Sequence, residues 1–124
     1  MKISGVNITG GVRLDPPATP TPTGPSKFVV GAPNNDDAGS ASGSAYMYNT
    51  DGTGEVKITA SDAAGNDRFG YSVAIKGDKV VVSSLLDDNK GSVYVYNTDG
   101  TGEQKITASD GASGDQFGRS VAIT

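Results

Sequence analysis

Cysteine, histidine and tryptophan are all missing from this chain. Without cysteine there is neither a disulfide nor a thiolate metal site. Without histidine the commonest general base and the commonest metal ligand are gone. No nucleophile–base pair can be read, since Ser72 and Ser120 stand in strand-like segments without a partner base. Positive charge is scarce as well: 10 Lys and Arg face 14 Asp and Glu, for a net charge of −4. A phosphate backbone calls for a basic stripe, so nucleic acid is not an expected partner. No apolar run approaches the roughly 18 residues of a membrane-crossing helix, and no membrane insertion is expected. The glycine-rich stretches do not lead into a helix, so no phosphate cradle forms. These absences point away from an enzyme, and no cofactor is expected.

What is present is glycine, 18 residues of it, and a long internal repeat. Gly43 to Ile75 recurs 48 positions later as Gly91 to Ile123, with 25 of the 33 positions identical. Tyr48 to Glu55 returns unchanged as Tyr96 to Glu103, and Lys57 to Asp62 as Lys105 to Asp110. A period in this range marks a repeat architecture whose units bury a core only by stacking. The functional question then shifts from one active site to what the repeated surface touches.

Three regions differ in composition. Residues 1–14 space Ile3, Val6, Ile8, Val12 and Leu14 with Ser, Asn, Thr and Gly, and are expected to be an anchor arm that docks on a partner through those apolar positions. Residues 15–26 carry five prolines and favour an extended, semi-rigid linker. Residues 27–124 read as all-β. Val29-Val30, Val80 to Val82, Ala45 to Tyr48, Val93 to Tyr96, Val56 to Thr59, Gln104 to Thr107, Ser72 to Ile75 and Ser120 to Ile123 are short strand patterns. Asp51-Gly52, Gly77-Asp78 and Asp99-Gly100 supply the turns between them.

Phe69-Gly70 and Phe117-Gly118, each followed by Ser-Val-Ala-Ile, together with Gly31-Ala32-Pro33, resemble the FG-GAP repeats of integrin-type β-propellers. The Lys-Ile-Thr-Ala-Ser-Asp phrase is similar to the bacterial and phage variety. The second Gly-Ala-Pro element has degenerated to Ser83-Ser84-Leu85. The resemblance implies four-stranded antiparallel blades, built outward from a central channel. The family's calcium loop has no counterpart here: its place is taken by the tight hairpin Lys76-Gly77-Asp78-Lys79, which offers one carboxylate where a hard cation needs six to eight oxygens.

In that scheme the chain spells three strands, then a full blade of four, then a lone innermost strand at Ser120 to Thr124. Two blades cannot close a ring, because propellers typically use four to eight. The expected solution is strand exchange: Ser120, Val121, Ala122 and Ile123 of one copy complete the blade begun by Phe28, Val29 and Val30 of the next. Three copies make a six-bladed ring and four an eight-bladed one; the homotrimer is favoured. The other reading is a piece of a longer propeller.

The remaining motifs have plainer explanations beside their functional ones. Asp36, Asp37, Asp87 and Asp88 are weak candidates for a cation and otherwise solvated loop tips. Asp62 and Asp67, echoed by Asp110 and Asp115, fit carboxylates that fix turns. Tyr46, Tyr48, Tyr94 and Tyr96 fit packing between blades better than sugar platforms. The expected function is that of a non-enzymatic structural or adhesion protein on a phage virion: a fibre, spike or capsid-decoration component. Its arm would meet other virion proteins, and its head would face a host surface glycan or protein. The alternative is a soluble or surface-exposed bacterial module that binds carbohydrate or protein.

Overall fold

The computed structural model describes residues 26–124, so the arm and nearly all of the proline-rich linker, with Ile3, Val6, Ile8, Val12 and Leu14, lie outside the described residues. Among the described residues seven strands form: β1 Lys27–Ala32, β2 Ser44–Asn49, β3 Val56–Ile58, β4 Phe69–Lys76, β5 Lys79–Ser84, β6 Ser92–Asn97 and β7 Gln104–Ile106. They make two antiparallel meanders, a three-stranded sheet β1-β2-β3 and a four-stranded sheet β4-β5-β6-β7. A short 3₁₀ turn at Asp87–Asn89 is the sole helical element among the described residues.

The side-chain period of two decides which residues meet. In the first sheet Val29 pairs with Met47, Gly31 with Ala45, and Ala45 with Ile58. This face turns to the second sheet. Phe28, Val30, Tyr46, Tyr48 and Lys57 share the opposite face. In the second sheet Val80 pairs with Tyr96 and Val82 with Tyr94, and these residues meet the first sheet. The core lies between the sheets: Ala45, Met47, Ile58 and Ala60 from one side, Phe69, Val80, Val82, Tyr94 and Tyr96 from the other. Phe69 packs edge-on against Tyr94 and Tyr96, with ring centroids 5.3 Å and 6.2 Å away.

The Phe-Gly and Gly-Ala-Pro phrases meet in space. Phe69 donates its N–H to the Ser42 carbonyl at 2.9 Å, and Gly43 and Phe69 form a parallel bridge. A methyl group on Gly31 would stand 1.9 Å from the Gly70 carbonyl oxygen, and one on Gly70 would stand 2.2 Å from the Ser44 oxygen. Only glycine lets two backbones approach so closely. In the second copy Ser83 occupies the place of Gly31, and Gly118 sits over its side chain.

The turns follow the expected chemistry. Gly77, at φ 59°, opens the β4–β5 hairpin. Asp51 accepts the Thr53 N–H and hydroxyl, and Asp99 does the same for Thr101. Ser120 to Thr124, expected to pair with another copy, forms no ladder among the described residues. It passes the start of β4 instead, where the Val121 N–H donates to the Ser72 hydroxyl at 3.2 Å. A ladder needs backbone pairing along an edge, and although β4 is an edge strand, this contact to a side-chain hydroxyl is not a ladder.

Candidate functional site

The most developed polar cluster among the described residues is the joint between the sheets. Tyr94 and Tyr96 alternate with Val93 and Val95 on β6, so both hydroxyls emerge on the face toward the first sheet. Glu103 precedes β7, and Lys105 pairs with Tyr94 across it. Into this set runs the segment leaving β3. The Tyr94 hydroxyl donates to Asp62 at 2.7 Å, and Lys105 Nζ donates to the other oxygen of Asp62 at 2.5 Å. The same ammonium lies 2.8 Å from Asp87. Ser61 gives its N–H and its hydroxyl to the two oxygens of Glu103, which also accepts the Tyr96 hydroxyl at 2.6 Å.

At the charged groups of this joint, burial is opposed and outweighed by hydrogen bonds from the partner side chains. Burial works against ionised Asp62, yet the hydrogen bonds from Lys105 and Tyr94 hold its carboxyl below the usual range. Glu103 is likewise lowered, against its burial, by Ser61 and Tyr96. Lys105 is held above its ordinary value by Asp62 and Asp87 despite desolvation. Burial first, then Glu103, pushes the Tyr96 hydroxyl up; burial and Asp62 do the same for Tyr94. Asp67 runs the other way: burial and the nearby charge of Asp87 raise its carboxyl.

Because the sequence repeats, the chain carries a second set of these parts. Tyr46, Tyr48, Glu55 and Lys57 stand where Tyr94, Tyr96, Glu103 and Lys105 do, but on the outward face of the first sheet. The Tyr48 hydroxyl donates to Glu55 at 2.7 Å, and Lys57 pairs with Asp37. The matching Ser109 and Asp110 are exposed beyond β7, and among the described residues neither holds a side-chain partner. The apolar positions split in the same way. Val80 and Val82 are 0% exposed, whereas Phe28 and Val30, in the same places of the repeat, are 39% and 44% exposed. Ile58 is 3% exposed and Ile106 is 45%.

Of the acidic pairs after the second strands, Asp36, Asp37 and Asp88 are exposed in their loops and Asp87 alone is buried. Asp37 reaches Lys57, which lowers its carboxyl. Asp87 is buried between Ser92 and Lys105. Asp36 caps the Ala41 N–H at 2.7 Å, and Asp88 is exposed at φ 51°. Among the described residues no group of three or more acids could hold a metal ion. Asp67 and Asp115 fix their turns by accepting the Ala64 and Ala112 N–H groups. Asp62 does something else, since its carboxylate crosses to the neighbouring sheet. Glu103, Lys105 and Ser61 were not singled out by sequence reasoning; the signal available was their recurrence inside the two longest identical runs.

No curated protein matches the chain in a sequence search. The profile of the FG-GAP repeat matches residues 53–96 and again 101–124, more than half of the chain. The first stretch contains Ser61, Asp62, Asp87, Tyr94 and Tyr96 of the inter-sheet joint, and the second contains Glu103 and Lys105. With its all-β meanders, its Phe-Gly contact and this match, the chain belongs to the FG-GAP repeat family.

Proposed function

We propose that this chain is a structural and adhesive module that works as a ring of identical copies. FG-GAP repeats are β-propeller adhesion or binding modules, and the two stacked meanders are consistent with propeller blades. The observation that carries the proposal is the pair of outward faces. Phe28 and Val30 on one side and Ile106 on the other are apolar positions that their repeat counterparts bury between the sheets. The two faces are different and complementary, so copies join head to tail, and such a contact closes into a ring when the rotation allows. The homotrimer gives six blades and the homotetramer eight. In this ring Ser120 to Ile123 of one copy lies along the open edge of β1 in the next. By the register of β4 on β5, Val121 stands opposite Val30, and Ile123 opposite Phe28.

The wider role we propose is that of a virion component: a fibre, spike or capsid decoration. The support is the layout of apolar arm, proline-rich linker and all-β head, and the likeness of the repeat to phage-borne versions. A second reading, a soluble or surface-bound module for glycan or protein, draws on the exposed stacked pair Phe28–Tyr48, with centroids 5.4 Å apart. Sedimentation velocity on the full chain tests the ring: three or four copies support it, and a monomer at all concentrations overturns it. Removal of residues 118–124 is expected to abolish assembly. Mass spectrometry of purified particles tests the virion role, and a glycan array tests the second reading.

A further inference from the structure

Resting on the ring reading, we infer that the junction between copies is specified by a polar clasp: Ser109 and Asp110 of one copy enter a receptor made of Tyr46, Tyr48, Glu55 and Lys57 on the next. The argument is a matching of open hydrogen-bonding positions against a worked example inside the same molecule.

In the joint within the chain, Asp62 takes the Tyr94 hydroxyl and the Lys105 ammonium, and Glu103 takes Ser61 with both oxygens. The receptor on the first sheet has the same four groups in the same register, since Tyr46 pairs with Lys57 as Tyr94 pairs with Lys105. The cation also lies over the ring in both: Lys57 is 5.7 Å from the Tyr46 centroid, and Lys105 is 5.6 Å from that of Tyr94. What differs is occupancy. Tyr46 accepts an Asn35 N–H at 3.4 Å and keeps its own hydroxyl hydrogen to give. Lys57 uses one of its three donors on Asp37, as Lys105 uses one on Asp87. Glu55 spends one oxygen on Tyr48 and has the other open. An incoming Asp-Ser pair would complete each of these, and among the described residues Ser109-Asp110 is such a pair without side-chain partners.

The apolar surround agrees. Phe69 covers Tyr94 and Tyr96 inside the chain. Phe117, its repeat counterpart, is half-buried at the outward end of the second sheet, beside a cleft of about 370 Å³ that Ser109 also lines. It is placed to cover Tyr46 and Tyr48 of the next copy. Complementary charge across an interface mainly sets partner and register. The clasp therefore selects a second copy of this chain and the register in which it seats.

The test is a charge reversal on each side, read by sedimentation velocity with the full chain. Asp110→Lys alters an exposed residue without side-chain partners among the described residues and is expected to leave the fold, by circular dichroism, unchanged. It should weaken self-association by at least about tenfold. Lys57→Glu should do the same, and the doubly reversed chain should recover most of the loss. If the unaltered chain assembles and Asp110→Lys assembles equally well, the clasp is wrong while the ring stands. If both single reversals weaken assembly and the double does not recover it, the residues matter without meeting, and the clasp is again wrong. If the unaltered chain never assembles, the ring reading itself falls and the clasp falls with it.

Discussion

Phe69 and Phe117 occupy the same place in the repeat, yet the same substitution should have different consequences at each. Phe69 is fully buried between the sheets and packs edge-on against two tyrosines. Phe69→Ala forfeits the transfer of the ring from water, roughly 2 kcal/mol. It also removes two aromatic contacts of about 0.5–1.5 kcal/mol each. With the cavity left between two rigid sheets, the total should reach about 3–5 kcal/mol. Domains of this size hold only ~5–15 kcal/mol altogether, so the urea midpoint should collapse and the melting temperature fall by more than about 12 °C. Phe117 is half-exposed in the single chain. Phe117→Ala should cost no more than about 1 kcal/mol in dilute protein, and should act on self-association at higher concentration. Urea titration followed by near-ultraviolet circular dichroism measures both. A loss below about 1 kcal/mol for Phe69→Ala, or equal losses for the two variants in dilute solution, would refute the placing of the core between the sheets.

Gly31→Ala should destabilise by about 1–3 kcal/mol or more, because the clashing atom is a backbone carbonyl that cannot swing aside; an unchanged melting temperature would contradict the close approach of Gly31 and Gly70. Acid should loosen the joint. Asp62 and Glu103 have lowered folded values, so their stabilisation is present above the ordinary carboxylate range near pH 4 and is lost as pH falls through those lowered values. Asp67 has the opposite sign: its raised carboxyl favours the fold at low pH and costs stability once ionised. Asp67→Asn should therefore raise the urea midpoint at neutral pH and bring no gain in acid, and a lower midpoint at neutral pH would contradict that sign. Calcium chelation should leave the melting temperature unchanged, and a fall of many degrees in EDTA would direct attention to the loops of Asp36 and Asp88. A chain beginning at Ser26 should assemble as the full chain does and fail to join the particle; normal attachment would remove the role proposed for the arm.

The strands and turns were legible in the residues because their causes are local. Alternation of tyrosine with aliphatic residues produces β2 and β6 wherever a sheet edge is at hand. Gly77 opens the β4–β5 hairpin, and Asp51, Asp67, Asp99 and Asp115 close loops with N–H groups two or three positions away. The lone segment Ser120 to Thr124 shows the limit of that locality: its pattern is that of a strand, but a ladder also requires an edge brought alongside it, and among the described residues it pairs with none. The long identical runs likewise announced that a surface repeats without saying what it holds.

Only the stacking of one sheet on the other decided the joint. Ser61 meets Glu103 across 42 positions and Asp62 meets Lys105 across 43, separations at which neither propensity nor alternation constrains a pair. Asp62 and Asp67 look alike in sequence, yet one carboxylate crosses to a lysine while the other closes its own turn, and their ionisation shifts in opposite directions. Gly31 and Gly70 belong to recognisable motifs, but only the stacking shows why both are glycine: their two backbones press together. Each of these is a property of the distance between sheets, which is set by every side chain packed between them and written in no single stretch of the chain.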